Sequence, residues 1–160
     1  MQIEMTIKLM VDPITNLPII LLRDRDGQRV LPIWVGASEA NAIALQIENI
    51  TTPRPMTHDL LRNVIHDLKA EIRKVVVSDL KDNTFYALIH LEVNGEALAV
   101  DARPSDAIAL ALRARAPIFV EDRVIDNAKT NDFAPDKTDA ERLQKWLESL
   151  DPDEMGKYKM

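Results

Sequence analysis

Asn94-Gly95 sits between two runs that alternate along the chain. Phe85, Ala87, Ile89, Leu91 and Val93 precede it at every second position, and Glu96 to Ala102 follow. Asn-Gly is the pair that best accepts positive φ at both central positions of a tight turn, so two antiparallel strands must fold back on each other here. The returning strand runs directly into VDARPSDAIALALR, Val100 to Arg113, where the apolar spacing changes from every second residue to a helical period. A strand hairpin that hands over to an Ala-rich helix fixes much of the architecture: a sheet with a helix packed on one face.

The same reading extends outward. Ile3, Met5, Ile7 and Leu9 alternate with polar residues, LPIILLRD is an apolar run, and Asp26-Gly27 signals a second hairpin with a strand from Arg29 to Val35. GASEANAIALQIEN then reads as a helix, and TTPRP as an extended connector, because each proline disfavours helix at the residue before it. Thr57 opens a second helix with Leu60, Leu61, Val64, Ile65 and Leu68 on one face and Arg62, Asn63, His66 and Lys69 turned away. Residues 71 to 80 are strand-like, with a turn at Asp82-Asn83; Pro117 to Val120 predicts a short strand and Asp122 to Ala128 a short helix. Thr138 and Glu141 form a capping box for a last helix with an apolar stripe at Leu143, Trp146, Leu147 and Leu150. The expected fold class is therefore α/β in the α+β sense, a mixed or antiparallel sheet containing a β-meander and flanked by Ala-rich helices. One domain is expected over 1–135, with residues 136–160 as a C-terminal helix and polar tail packed on it.

Bulk properties exclude several classes. A chain of 160 residues with 46% hydrophobic and 29% charged residues is long enough to bury a core and balanced as a globular protein is. No window is apolar for the ~18 residues a membrane helix needs, and the first residues carry no basic leader pattern, so a cytoplasmic protein with no membrane partner is expected. The absence of cysteine removes disulfides, thiolate metal sites and a Cys nucleophile. A net charge of −6 argues against a protein that grips a duplex through a broad basic face. Nucleic-acid contact in such a chain has to be local or bridged by cations held on acids.

One internal similarity bears on the chemistry. Ser38-Glu39-Ala40, followed by Ala42, Ala44 and Leu45, matches Ser105-Asp106-Ala107, followed by Ala109, Ala111 and Leu112, at a constant offset. Each copy follows a strand and places an acid in the first turn of an Ala-rich helix, which suggests pseudo-symmetry. If the copies pack side by side, Glu39 and Asp106 approach, and paired carboxylates can hold Mg²⁺ or Mn²⁺ or move protons. The plain alternative is two solvated acids complementing helix dipoles.

Pro104 suits the first helical position and Ser105 or Asp106 can cap it, so helix initiation accounts for those residues. It does not account for Asp101 or Arg103, which share a face in an extended chain and could pair there. In PRPMTHDLLR, Arg54 and Arg62 are candidate phosphate contacts, and His58 beside Asp59 is a candidate base or ligand. Phosphate loops, H-E-x-x-H and G-x-S-x-G are absent from the sequence. With 4% aromatics, a base-stacking surface is poor.

The chain resembles the bifunctional nuclease domain family. LPIWVGASEANAIAL, RPMTHDLL, DNTFYALIHL and VDARPSDAIALALRARAPIFVEDRVI occur in the family's order and spacing, covering about residues 3 to 130. The closing LDPDEMGKYKM is similar to tails of bacterial members, whereas the basic extension that some members carry is missing. The resemblance implies an α/β fold of its own type, homo-oligomers (a dimer or higher), and nuclease activity on DNA and RNA as in plant members. Glu39, Arg54, Pro55, His58, Asp59, Asp101, Arg103, Ser105 and Asp106 fall on the family's motif positions.

Two functions follow as expectations. In the first, a nuclease, Glu39, Asp101 and Asp106 hold a divalent cation, Mg²⁺ or Mn²⁺, Arg103, Arg54 and Arg62 hold phosphate oxygens, and Asp101, Arg103, Asp106 and His58 are catalytic. In the second, a non-catalytic oligomeric ligand- or protein-binding module, the acid–arginine set is structural. The discriminating geometry is whether the acids meet in one open cleft with Arg103 pointing into it.

Overall fold

The computed structural model describes residues 1–130, and the expected C-terminal helix and tail lie outside the described residues. Three strands come first: β1 (Gln2–Val11), β2 (Pro18–Arg23) and β3 (Val30–Trp34) form an antiparallel meander. Helix α1 (Ala37–Ile47) follows, then α2 (Thr57–Asp67). A second meander, β4 (Ala70–Lys81), β5 (Thr84–Val93) and β6 (Glu96–Ala102), leads into α3 (Pro104–Ala114). The described chain closes with β7 (Ile118–Glu121) and α4 (Asp122–Thr130).

All seven strands join one sheet in the order β3-β2-β1-β7-β4-β5-β6. Every pairing is antiparallel except that of β7 with β4. This is the expected mixed, largely antiparallel sheet, with the meander and the Ala-rich helices in place.

The tight turns follow from residue chemistry. Asn94 and Gly95 have φ of 52° and 81°, and Asp82 and Asn83 have 50° and 62°. Positive φ at both central residues gives the twist that matches two antiparallel strands, and Asn, Asp and Gly adopt it at the least cost. At the wider β2–β3 loop, Asp24 Oδ1 accepts from the amides of Gln28 (2.9 Å) and Arg29 (3.2 Å) while Gly27 turns at φ 68°.

The pseudo-repeat seen in the sequence extends over the topology. Each half is a three-stranded meander followed by an Ala-rich helix. β1 begins at residue 2 and β4 at 70, β2 at 18 and β5 at 84, β3 at 30 and β6 at 96, α1 at 37 and α3 at 104. The offset stays between 66 and 68, and β7 lies between the two meanders. One core serves both halves: Ile20, Leu22, Leu31, Ile33 and Ile43 pack in the same cluster as Val75, Val77, Ile89, Ile108 and Leu110. Val124 and Ile125 of α4 complete it. β2 is buried on both faces, since Ile19 and Leu21 belong to a second cluster with Met10, which explains its unbroken apolar run.

The apolar stripe of α2 does not enter the core: Leu60 is 56% exposed, Leu68 71%, and Leu61 and Val64 are also exposed. Only Ile65 packs partly against the main cluster. Strand β6, at the sheet edge, likewise exposes Leu98 and Val100.

Candidate functional site

The handover from β6 to α3 builds the centre of the site. Arg103 is the N-cap of α3 in extended geometry (φ −69°, ψ 144°), and Pro104 takes the first turn, as its fixed φ favours. Asp106, in that first turn, faces back: Arg103 Nε donates to Asp106 Oδ2 at 2.9 Å and Arg103 Nη2 to Oδ1 at 3.2 Å. The two-pronged contact uses the planar fork of the guanidinium. Its remaining arm, Nη1, donates to Glu39 Oε1 at 3.0 Å. Glu39 and Asp106, equivalent acids in the two halves, therefore meet through one arginine.

Gly36 makes room on the Glu39 side. A Cβ at that position would fall 2.4 Å from Glu39 Oε2, so the carboxylate lies folded over the start of α1 where any other residue would displace it.

His58, in the first turn of α2, completes the set. Its Nε2 lies 2.9 Å from Asp106 Oδ1, and its side chain is only 13% exposed. Burial works to raise the pKa of Asp106, but the hydrogen bonds from Arg103 and His58 outweigh it and hold the carboxyl below its usual range. The same two carboxylates raise the pKa of Arg103 through their hydrogen bonds. Arg103 keeps 64% of its side chain exposed, so it stands in an open cleft. That cleft, about 890 Å³, has an apolar wall built by Leu61, Ile65, Ile89, Leu91 and Val100.

Several sequence expectations are redistributed. Asp101 lines the cleft but makes no ion pair with Arg103, whose guanidinium is taken up by Glu39 and Asp106. His58 is oriented by Asp106, not by its neighbour Asp59. Asp59 instead accepts from the Met56 amide at 2.9 Å and from Arg113 Nε at 2.6 Å. Arg54 is exposed in the connector and Arg62 lies one turn beyond His58 on the adjoining flank of α2, and neither lines the cleft.

Arg103 also occupies the space between Glu39 and Asp106 that a divalent cation would need. Among the described residues no group of three or more His, Asp or Glu side chains is disposed to hold a metal ion.

Arg113 is the structural residue that sequence reasoning missed. Its side chain is 3% exposed and donates to Asp59, to the Ala109 carbonyl (2.9 Å) and to the Ala42 carbonyl (3.0 Å). One guanidinium thus locks α1, α2 and α3 together behind the cleft. Its signal was its place four residues after Ala109, on the buried stripe of an otherwise apolar helix. Opposing the desolvation that would raise it, the Met56 amide and Arg113 keep the Asp59 carboxyl low.

Residues 20–132 match the bifunctional nuclease domain family. The chain belongs to that family. An uncharacterised protein of Mycobacterium tuberculosis is 41% identical over 150 residues, covering 87% of this chain and 88% of that protein. Bifunctional nuclease 1 of Arabidopsis thaliana is 29% identical over 130 residues, and bifunctional nuclease 1 of Oryza sativa subsp. japonica 29% over 112. The match covers 40% and 34% of those two plant proteins, so this chain spans less than half the length of each. No helix among the described residues is long and apolar enough to cross a membrane.

Proposed function

We propose that the chain is a hydrolase of phosphodiester bonds in DNA or RNA, with the cleft at the junction of α1, α2 and α3 as its active site. The observation that carries this reading is the linked set Glu39–Arg103–Asp106–His58, lining one open cleft, in a member of the bifunctional nuclease domain family.

Arg103 is the phosphate-binding group. A phosphate oxygen pair replaces one carboxylate on the guanidinium fork, in the bidentate geometry arginine favours. Asp106 fixes the ring of His58 through Nε2, leaving Nδ1 toward the reacting group. In the hydrolysis, water adds its oxygen to phosphorus, one P–O bond breaks, and His58 takes the water proton and returns it to the leaving oxygen. The apolar wall lowers the local dielectric and strengthens each of these contacts. The expected Mg²⁺ or Mn²⁺ fits the cleft as it stands only if Arg103 moves away from Glu39 and Asp106.

The test is cleavage of plasmid and single-stranded RNA with Mg²⁺, Mn²⁺ or EDTA, by wild type, Asp106→Asn, Arg103→Ala and His58→Ala, with folding checked by circular dichroism. Cleavage by wild type with loss of about 10²-fold or more in each variant is the expected result. Cleavage that survives all three substitutions removes the site assignment.

A second reading, an oligomeric module, is favoured by the exposed apolar residues of α2 and of edge strand β6. The occupant proposed is a second copy of the chain. An open strand edge can pair antiparallel with itself about a two-fold axis, which buries the same patch on both partners. In that reading the acid–arginine set is structural and the module is non-catalytic, so the cleavage test above separates the two.

A further inference from the structure

Helix α2 has a second cleft on its other side, about 620 Å³, between the helix, the start of β4 and the end of α3. Arg62, His66 and Arg115 line it, with the paired Arg113 behind them. Arg62 makes a hydrogen bond to Asn63 Oδ1 (3.1 Å) and Arg115 makes no ion pair among the described residues. The acids nearby are already engaged, Glu71 with Arg73 at 3.0 Å and Asp67 with His66 at 3.5 Å. Asp59 acts on Arg62 only through space, its own hydrogen bonds coming from the Met56 amide and Arg113, and Glu71 also lines the groove; the local anion site is the two arginines held in no ion pair, in a chain of net charge −6.

We infer that this groove binds phosphates adjoining the scissile one, so that the substrate is a nucleic-acid strand crossing α2 rather than a small phosphodiester. The inference rests on the proposed function and deepens it. His58 and Arg62 are one helical turn apart and His58 and His66 about two, roughly 6 and 12 Å along the axis. Ile65 lines both clefts, so α2 forms the wall between them. A strand with one phosphate on Arg103 meets the second cleft by passing over that ridge. The arginines grip the backbone and carry no base specificity.

The experiment is fluorescence anisotropy of a labelled single-stranded oligonucleotide with a phosphorothioate backbone, titrated at several salt concentrations. Wild type is compared with Arg62→Gln/Arg115→Asn; asparagine is chosen because position 115 has φ 56°, which it tolerates. The double variant is expected to bind about tenfold more weakly, with the log–log salt slope smaller by about 1.4, two phosphates' worth on a single strand. Arg62→Lys/Arg115→Lys is expected to restore most of the binding, which a merely misfolded site would not do. Unchanged affinity and slope in the double variant, or no binding by wild type, overturns the inference. If wild type fails to cleave any substrate but the arginine-dependent binding holds, the proposed hydrolysis falls and the groove stands. Normal cleavage with binding insensitive to both arginines removes the groove and leaves the hydrolysis standing.

Discussion

Asp59 shows how much one side chain can carry without touching the cleft. It is the sole carboxylate partner of Arg113 among the described residues, and that arginine is almost fully buried. Removing one member of a buried pair strands the other charge, which costs about 3–5 kcal/mol. Asp59→Ala is therefore expected to lower stability by that amount in urea denaturation, more than His58→Ala at the adjacent position. Both Asp59 and Asp106 have depressed pKa values in the fold. Their contribution is thus fully present above the ordinary aspartate value, about 3.9, and is lost as pH falls through the lower folded values. Thermal melting should fall below about pH 4 as these carboxylates take up protons, with a smaller loss over that range in Asp106→Asn. Gly36→Ala is the complementary probe of the cleft: it pushes the Glu39 carboxylate off its seat. At this scale the site was half legible. Types and spacing singled out Glu39, Arg103, Asp106 and His58, since each sits where a helix begins and exceeds what helix initiation requires. The pairings were not legible, because His58 and Asp106 are 48 residues apart and only the packing of α2 on α3 decides that they meet.

Helix α2 is the element where pattern and packing part company. Its apolar stripe is as regular as that of a core helix, and periodicity alone says that the stripe is covered, not by what. In the described chain Ile65 packs against the core and Leu61 lines the cleft, while Leu60, Val64 and Leu68 stay exposed. The expected consequence is self-association through α2 and β6. Leu60→Lys/Val64→Lys should convert the oligomer to monomer in sedimentation velocity while leaving helix content unchanged. A stripe that simply faces solvent would tolerate both changes within about 0.5 kcal/mol and show no change in mass. The tight turns, by contrast, were readable to the residue, because Asn94-Gly95 and Asp82-Asn83 need no tertiary partner to prefer positive φ.

At the scale of the molecule, two similar β-β-β-α units share one core and meet at their helix starts. The short match of Ser-Glu-Ala with Ser-Asp-Ala hinted at this, but topology carries the repeat far beyond the matching residues. Sheet position depends on which strands are neighbours, and residues in the two meanders bear little likeness to each other, so strand order could not be read from the chain. The least visible point was β7: IFVE is four residues long, yet it sits at the centre of the sheet. Val120→Asp, which puts a charge at a position of 0% exposure between β1 and β4, is expected to abolish cooperative unfolding as followed by calorimetry.

That central strand also sets a schedule. During synthesis the first meander is complete long before the strand that joins it to the second has been made. At a ribosomal pace of about 5–20 residues per second, β1 waits roughly 5–20 seconds for its neighbour. The margin of β1 is bare for that whole interval, and once residues 70–81 have emerged β4 adds a second until β7 fills the gap. Chains interrupted before Ile118 never close the gap, and they are expected in the insoluble fraction when expressed. The stretch of synthesis most exposed to aggregation is expected to be the one between completion of β4 and arrival of β7.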